Sequence, residues 1–296
     1  MKKNTQHQSP KQRKHSKNKS YRRLFVTVII ATIILLGLGL GLASYFTTEI
    51  DKEITIESNV TIPAIVKEAK KVLTESKQII DITNKPKLAI IIDDMTTQGQ
   101  INSVLSLGYT VNMAFLPPTK GHRKSAKITK NLDKYMIHLP LQASSSKYEE
   151  ENTLYITDSL SKIEKRIKNL KSLYPNTNFL NNHTGSKFTS NQVAMDKLFE
   201  VLKKYKYTFI DSRTTAKSVA AISAKKYGVK MFSRSIFLDN NKNKEYIKNQ
   251  LKKAIRIAKK DGMAIAIGHP YGITFKTLKD SKHLLKDLEL VYVQNL

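Results

Sequence analysis

The chain has 296 residues, 40% of them hydrophobic and 8% aromatic, which suits one sizeable globular domain with a short N-terminal extension rather than a disordered polymer. It contains no cysteine, so disulfides and thiolate metal sites are excluded and any metal must be held by His, Asp or Glu. The formal charge of +27 is compatible with anionic glycans, lipid head groups or nucleic acid, but nine of the Lys and Arg residues fall within residues 1–23 and most other lysines occupy polar positions of helical patterns.

Residues 1–23 form a basic tail without acids. LFVTVIIATIILLGLGLGLASYF, residues 24–46, is uncharged and long enough to cross a bilayer as a helix. The charge asymmetry around it predicts an uncleaved anchor in the cytoplasmic membrane, with the N-terminus inside and the rest of the chain outside. The competing reading is a signal peptide cleaved near Gly41-Leu42-Ala43, for which both the tail and the apolar run are long. Residues 47–85 read as a stalk with a short helix, and TNKP at 83–86 marks the boundary to a domain spanning 86–296.

From residue 87 short apolar runs alternate with helical periodicity. KLAIII, TVNMAFL, YMIHL, NFLNN, YTFID, VKMF, AIAIG and LVYV read as strands, and SLSKIEKRIKNLKSLY, NQVAMDKLFEVLKKY and KEYIKNQLKKAIRIAKK as helices. The fold expected is α/β, an irregular (β/α) barrel of about seven to eight strands, with a doubly wound open sheet as the alternative. The GLGLGLA glycines sit in the apolar segment with no preceding strand and are not a dinucleotide fingerprint.

Ionisable residues recur where these strands end. Asp93 and Asp94 end the first strand, His138 closes YMIHL, His183 follows NFLNN, Asp211 ends YTFID and His269 follows AIAIG. The C-terminal edge of a parallel sheet or barrel is where ligands bind, so five strands converge on one rim. His122 and His283 fall in loop or helical contexts and read as surface residues. Singly, each rim residue has a plain explanation: a hydrogen-bonded histidine, or a helix N-cap for Asp94 or Asp211. Asp93 resists it, because it follows three isoleucines and adjoins another carboxylate. Adjacent strand residues point in opposite directions, so the two aspartates are expected to differ in role, one a ligand and one a base. A divalent metal would relieve their repulsion. An Asp plus two His makes an open ligand set that zinc fits best, with iron, cobalt, nickel and manganese as alternatives.

AIIIDDM at 89–95, MIHLPLQ at 136–142, NNHTGSKFT at 181–189, FIDSRTT at 209–215 and AIAIGHP at 264–270 together resemble the divergent polysaccharide deacetylases, relatives of the NodB-type carbohydrate esterases. The resemblance covers essentially all of 86–296. It implies a (β/α) barrel, one divalent metal and hydrolysis of an N-acetyl group on a sugar. It further implies Asp94 as a metal ligand, Asp93 as catalytic base, His183 as a ligand and His269 as general acid. NodB-type enzymes carry a second histidine shortly after the first, where this chain reads TGSKF; His138 is assigned to that vacant ligand position. No clear arginine–proline motif is visible, and Arg213 is assigned part of its role in orienting the base. Asp211 is expected to orient His269 or a ligand histidine, and Asn182 to support the site or meet substrate.

The leading functional reading is therefore a membrane-anchored, metal-dependent deacetylase of an envelope polysaccharide. A non-catalytic module that grips a glycan or envelope protein is the alternative, and a structural envelope protein the third. Nucleic acid is not an expected partner, because the dense basic run is explained by topology and no recognition motif is present. Oligomeric state has no signature in the sequence.

Overall fold

The computed structural model describes residues 85–145 and 149–296. The tail, anchor and stalk assigned to residues 1–85 lie almost entirely outside the described residues, and no helix among the described residues is long and apolar enough to cross a membrane. All strand pairings are parallel, and the main sheet runs β6(Met231–Ser233)–β5(Thr208–Asp211)–β4(Phe179–Thr184)–β3(Met136–Leu141)–β2(Asn112–Phe115)–β1(Lys87–Met95)–β8(Met263–Gly268)–β7(Ile236–Phe237). A two-residue strand, β9(Glu289–Leu290), joins the start of β1.

This sheet curls until its two edges meet. The Arg234 N–H donates to Asp211 of β5, and the N–H of the very next residue, Ser235, donates to Ile265 of β8. A flat eight-strand sheet would hold those edges about 34 Å apart at the usual strand spacing. Consecutive residues cannot span that distance, so the arrangement is barrel-like and not the doubly wound alternative. The eight expected strands are all present, with two corrections. The Ile236–Phe237 strand was not anticipated, and the last strand sits at Glu289–Leu290, ahead of most of LVYV.

The strands are apolar on both faces because both are covered. Leu88, Ile90 and Ile92 face the helices, whereas Ala89 and Ile91 join Ala114, Met136, Ile210, Ile265 and Ile267 inside the barrel. Val291 and Val293 pack against that interior group, and Asn112 ties them in: its side-chain nitrogen donates to the Ile90 and Val291 carbonyls, and its oxygen accepts from Val293 N. The C-terminal segment thus seals the end where β1 begins, leaving the opposite rim for the ionisable groups.

Helices α1(Gln98–Leu105), α2(Leu160–Leu173), α3(Gln192–Lys204), α4(Ala220–Tyr227), α5(Lys244–Asp261) and α6(Gly272–Asp280) cover the outside. In α2 the buried Ile163, Ile167 and Leu170 recur at helical spacing, and Ser159 caps its start by accepting from Lys162 N. Asp94 is not the cap of α1: Thr97 is, in a reciprocal box with Gln100.

Candidate active site

The Asp93–Asp94 pair sits on a defect in β1. Its register against β2 shifts between Ile92 and Met95, and Asp94 has a left-handed backbone, φ 56°. A bulge with a left-handed residue breaks the two-residue alternation of the strand. Both carboxylates therefore reach the same imidazole: His138 Nε2 lies 3.1 Å from Asp94 Oδ1 and 3.7 Å from Asp93 Oδ2. Opposed directions, expected for an ideal strand, do not hold here. Two more left-handed non-glycine residues, Thr184 (φ 53°) and Arg213 (φ 47°), follow at the ends of β4 and β5. Such conformations cost on the order of 1–3 kcal/mol each, and their concentration on one rim marks it as built for something other than stability.

Asp94, His138 and His183 present three donor atoms to one point. His183 Nδ1 is 3.0 Å from Asp94 Oδ1 and 3.2 Å from His138 Nε2. Among the described residues these three form a group able to hold a metal ion. An ion about 2.0–2.1 Å from each of three tetrahedral ligands needs them roughly 3.3 Å apart, so the observed triangle needs little adjustment. The tautomer is also set. His138 Nδ1 donates to Asn181 Oδ1 at 2.8 Å, so Nε2 is the nitrogen turned to the triangle, where a bound ion would take the place of its proton. The expectation that His138 closes its strand does not hold: it sits third in β3, which continues through Pro140 to Leu141.

The electrostatics agree with a cation at this point. Burial works against a charged His138, yet the Asp93 and Asp94 carboxylates push it up to about 9. Burial likewise opposes charge on Asp94, but hydrogen bonds from His138 and His183 hold it well below the usual carboxylate range. Burial raises Asp93, only partly offset by the His138 charge and the Asn181 hydrogen bond. A divalent ion would supply the positive charge that these groups otherwise draw from a protonated imidazole.

Asn181 links the two halves of the site, donating from Nδ2 to Asp93 Oδ1 at 2.8 Å while accepting from His138. The expectation had fallen on Asn182. Residues two apart on a strand share a face, so it is Asn181 that accompanies His183 towards the rim, a parity readable in NNH. Asn182 instead accepts from Ser212 N and donates to the Thr184 carbonyl, bracing the strained turn behind His183.

The remaining assignments are also redistributed. Asp211 orients no histidine: its carboxylate accepts from Arg213 N and Ser218 Oγ, holding its own loop. Arg213 is exposed and makes no side-chain hydrogen bond to Asp93, whose partners are Asn181 and His138. The group that orients His269 is Asp239, which sequence reasoning missed. It is buried and takes His269 at two points, Nδ1 at 2.8 Å and the backbone N–H at 2.7 Å, and also accepts from Thr274 Oγ1. Gly268 permits this closeness, since a Cβ there would come within 3.3 Å of Asp239 Oδ2. Despite burial, that pairing raises His269 above the ordinary imidazole value, helped by the Asp94 and Asp93 charges. The signal was present in IFLD at 236–239, an apolar run ending in Asp as in AIIIDD, but its strand is only two residues long. His122 and His283 lie away from the site, the first against Glu150 and the second exposed.

Comparison with known proteins identifies the family. Residues 90–296 match the family model described as divergent polysaccharide deacetylase. The uncharacterized protein YibQ of Escherichia coli K12 is 36% identical over 213 residues, covering 71% of this chain and 67% of that one. An uncharacterized protein of Haemophilus influenzae is 33% identical over the same length, covering 71% and 76%. Among solved structures, the uncharacterized protein ATU2773 from Agrobacterium tumefaciens C58 shares the fold, with a TM-score of 0.61 at 18% identity over 70% of this chain and 86% of that one. The family-model match over residues 90–296, with relatives 36% and 33% identical over 213 residues, places the chain in the divergent polysaccharide deacetylase family.

Proposed function

We propose that the protein is a metal-dependent hydrolase that removes N-acetyl groups from an envelope polysaccharide. The observation that carries this reading is the convergence of Asp94, His138 and His183 on one point, with a buried carboxylate, Asp93, beside them and a braced imidazole, His269, on the same rim. Asp94, His138 and His183 would hold one divalent ion, zinc by donor type. When bound, it supplies positive charge that polarises an amide carbonyl and acidifies water.

The protein's own groups divide the proton transfers. Asp93 has one oxygen engaged by Asn181 and the other directed towards His138, so Oδ2 is the atom available to accept the proton of an attacking water. His269 has Nδ1 fixed on Asp239, so Nε2 is the position that delivers a proton to the departing amine. Water adds to the acetyl carbon, the C–N bond breaks, and acetate and the free amine leave.

Residues 24–46 would tether this domain outside the cytoplasmic membrane, a reading supported by their length, lack of charge and flanking asymmetry. An acetylated envelope polymer would then be within reach. The test is elemental analysis of the purified full chain together with acetate release from N-acetylglucosamine oligomers and acetylated envelope glycans. One bound metal per chain and acetate release are expected. A protein that binds no metal, or releases no acetate when loaded, would be a binding module on the same barrel.

A further inference from the structure

Beside the triangle of donors stands a column of stacked groups, of which the proton transfers use only His269. The Arg234 guanidinium lies over the Phe237 ring, 3.8 Å from its centroid. Phe237 stacks on His269 at 6.0 Å with 25° between planes, and His269 stands against Tyr271 at 5.7 Å. Lys242 Nζ closes the other end, 3.7 Å from the Tyr271 centroid. The general acid thus lies between two aromatic rings, each capped by a cation. Cations seated on aromatic faces have defined positions, and these two lie nearer their rings than the other lysine–aromatic pairs among the described residues, which range from 4.9 to 6.0 Å.

Arg213 adds a third charge. Arg234 donates to the backbone carbonyls of Ser212 and Arg213, at 2.6 and 2.8 Å, which fixes the two arginines as neighbours. Arg213 is exposed on a left-handed backbone that costs energy to maintain. Among the described residues none of Arg213, Arg234 and Lys242 forms an ion pair, although lysines elsewhere pair with Asp158, Glu164, Asp196, Asp280 and Asp287. Besides burial, the Arg213 charge disfavours the charged form of Arg234, and a planar carboxylate is the group that a guanidinium fork accepts best.

We propose that the rim selects an acidic polysaccharide, in which carboxylate-bearing sugars flank the acetylated one and are bound by Arg213 and Arg234 on one side of His269 and by Lys242 on the other. This deepens the deacetylase reading and rests on it for the identity of the reacting sugar. The column gives the acid a fixed place between the two cationic ends, so a chain held by its charges presents the acetylated residue to His269.

The test uses the full chain in detergent, with Asp93→Asn to prevent turnover. Binding is measured by calorimetry for two oligosaccharides of equal length: an alternating N-acetylglucosamine–glucuronic acid repeat and a neutral N-acetylglucosamine oligomer. About tenfold tighter binding of the acidic repeat is expected at low salt, falling towards parity as salt is raised. Adding Arg213→Gln and Lys242→Gln together should abolish most of that preference while metal content stays the same. Should that pair fail to fold, Lys242→Gln alone, on an exposed loop, and the salt dependence of the parent protein give the same reading. Equal binding of the two oligosaccharides, or a preference that survives the substitutions, overturns the proposal. Acetate release by the protein with Asp93 intact is measured separately on both. Release without charge preference leaves the deacetylase standing and this inference refuted; preference without release does the reverse.

Discussion

Asp239 grips His269 at two points, its Oδ1 accepting from the imidazole Nδ1 at 2.8 Å and its Oδ2 from the backbone N–H of the same residue at 2.7 Å. The carboxylate therefore sets both the position of the strand end and the tautomer of the ring. It also raises the pKa of His269, against the effect of burial. A general acid must be protonated, so a raised pKa extends activity towards alkaline pH. Asp239→Asn should lower the alkaline limb of the pH–rate profile and reduce kcat by roughly 10²–10⁴, with metal content retained. The same pairing contributes stability that is complete below the ordinary imidazole pKa and is lost as pH rises through the raised one. An unchanged alkaline limb in Asp239→Asn would mean that His269 is not the acid.

Asp94→Ala, His138→Ala and His183→Ala each remove one corner of the donor triangle, and each should lose most bound metal. Asp93→Asn preserves shape and one hydrogen bond while removing the base, so it should retain metal and lose activity by roughly 10²–10⁴. Elemental analysis of the four purified variants separates ligands from base. Retention of full metal by His138→Ala would exclude it as a ligand.

Asn181 and Asn182 give a paired test of how the site is braced. Asn181→Ala would leave Asp93 Oδ1 and His138 Nδ1 buried without a partner. Such losses cost about 1–3 kcal/mol each, and losing the bond that orients a ligand histidine typically weakens metal binding about 10–100-fold. Asn182→Ala removes contacts to Ser212 N and the Thr184 carbonyl, so it should lower stability with a smaller effect on metal affinity. Denaturant unfolding and metal titration of both variants check the contrast. Equal losses of affinity would show that bracing the Thr184 turn matters as much as orienting His138.

Most of the strand order was legible because parallel strands buried on both faces read as unbroken apolar runs. Asp93, Asp94, His183 and His269 stood out because each interrupts or follows such a run. What escaped was set by geometry that local pattern does not encode. A bulge at Asp94 overrides the alternation that would separate it from Asp93. Asp239 follows a two-residue strand, too short for any periodicity, and its partner His269 lies 30 residues away. Arg213 was given part of the role of an arginine–proline motif that the sequence lacks, but its backbone carbonyl, not its guanidinium, is what the structure ties down. The Asn181–Asn182 choice is different, since strand parity with His183 was available in the sequence itself.

The placement of the domain outside the membrane is tested by topology. Residues 24–46 carry no charge, and the nine cations before them and the acids soon after favour an inside N-terminus. A reporter that is active only outside the cytoplasm, fused after Leu296, should therefore be active, and the mature protein should keep its original N-terminus. A protein that begins near Ser44 would show cleavage and a released domain. A truncated chain starting at residue 86 should remain soluble and unfold cooperatively, because β1 begins at Lys87 and its partners β2, β8 and β9 all lie downstream. If that fragment is molten while one starting near residue 60 folds, the stalk belongs to the core, and the boundary at TNKP must move towards the N-terminus.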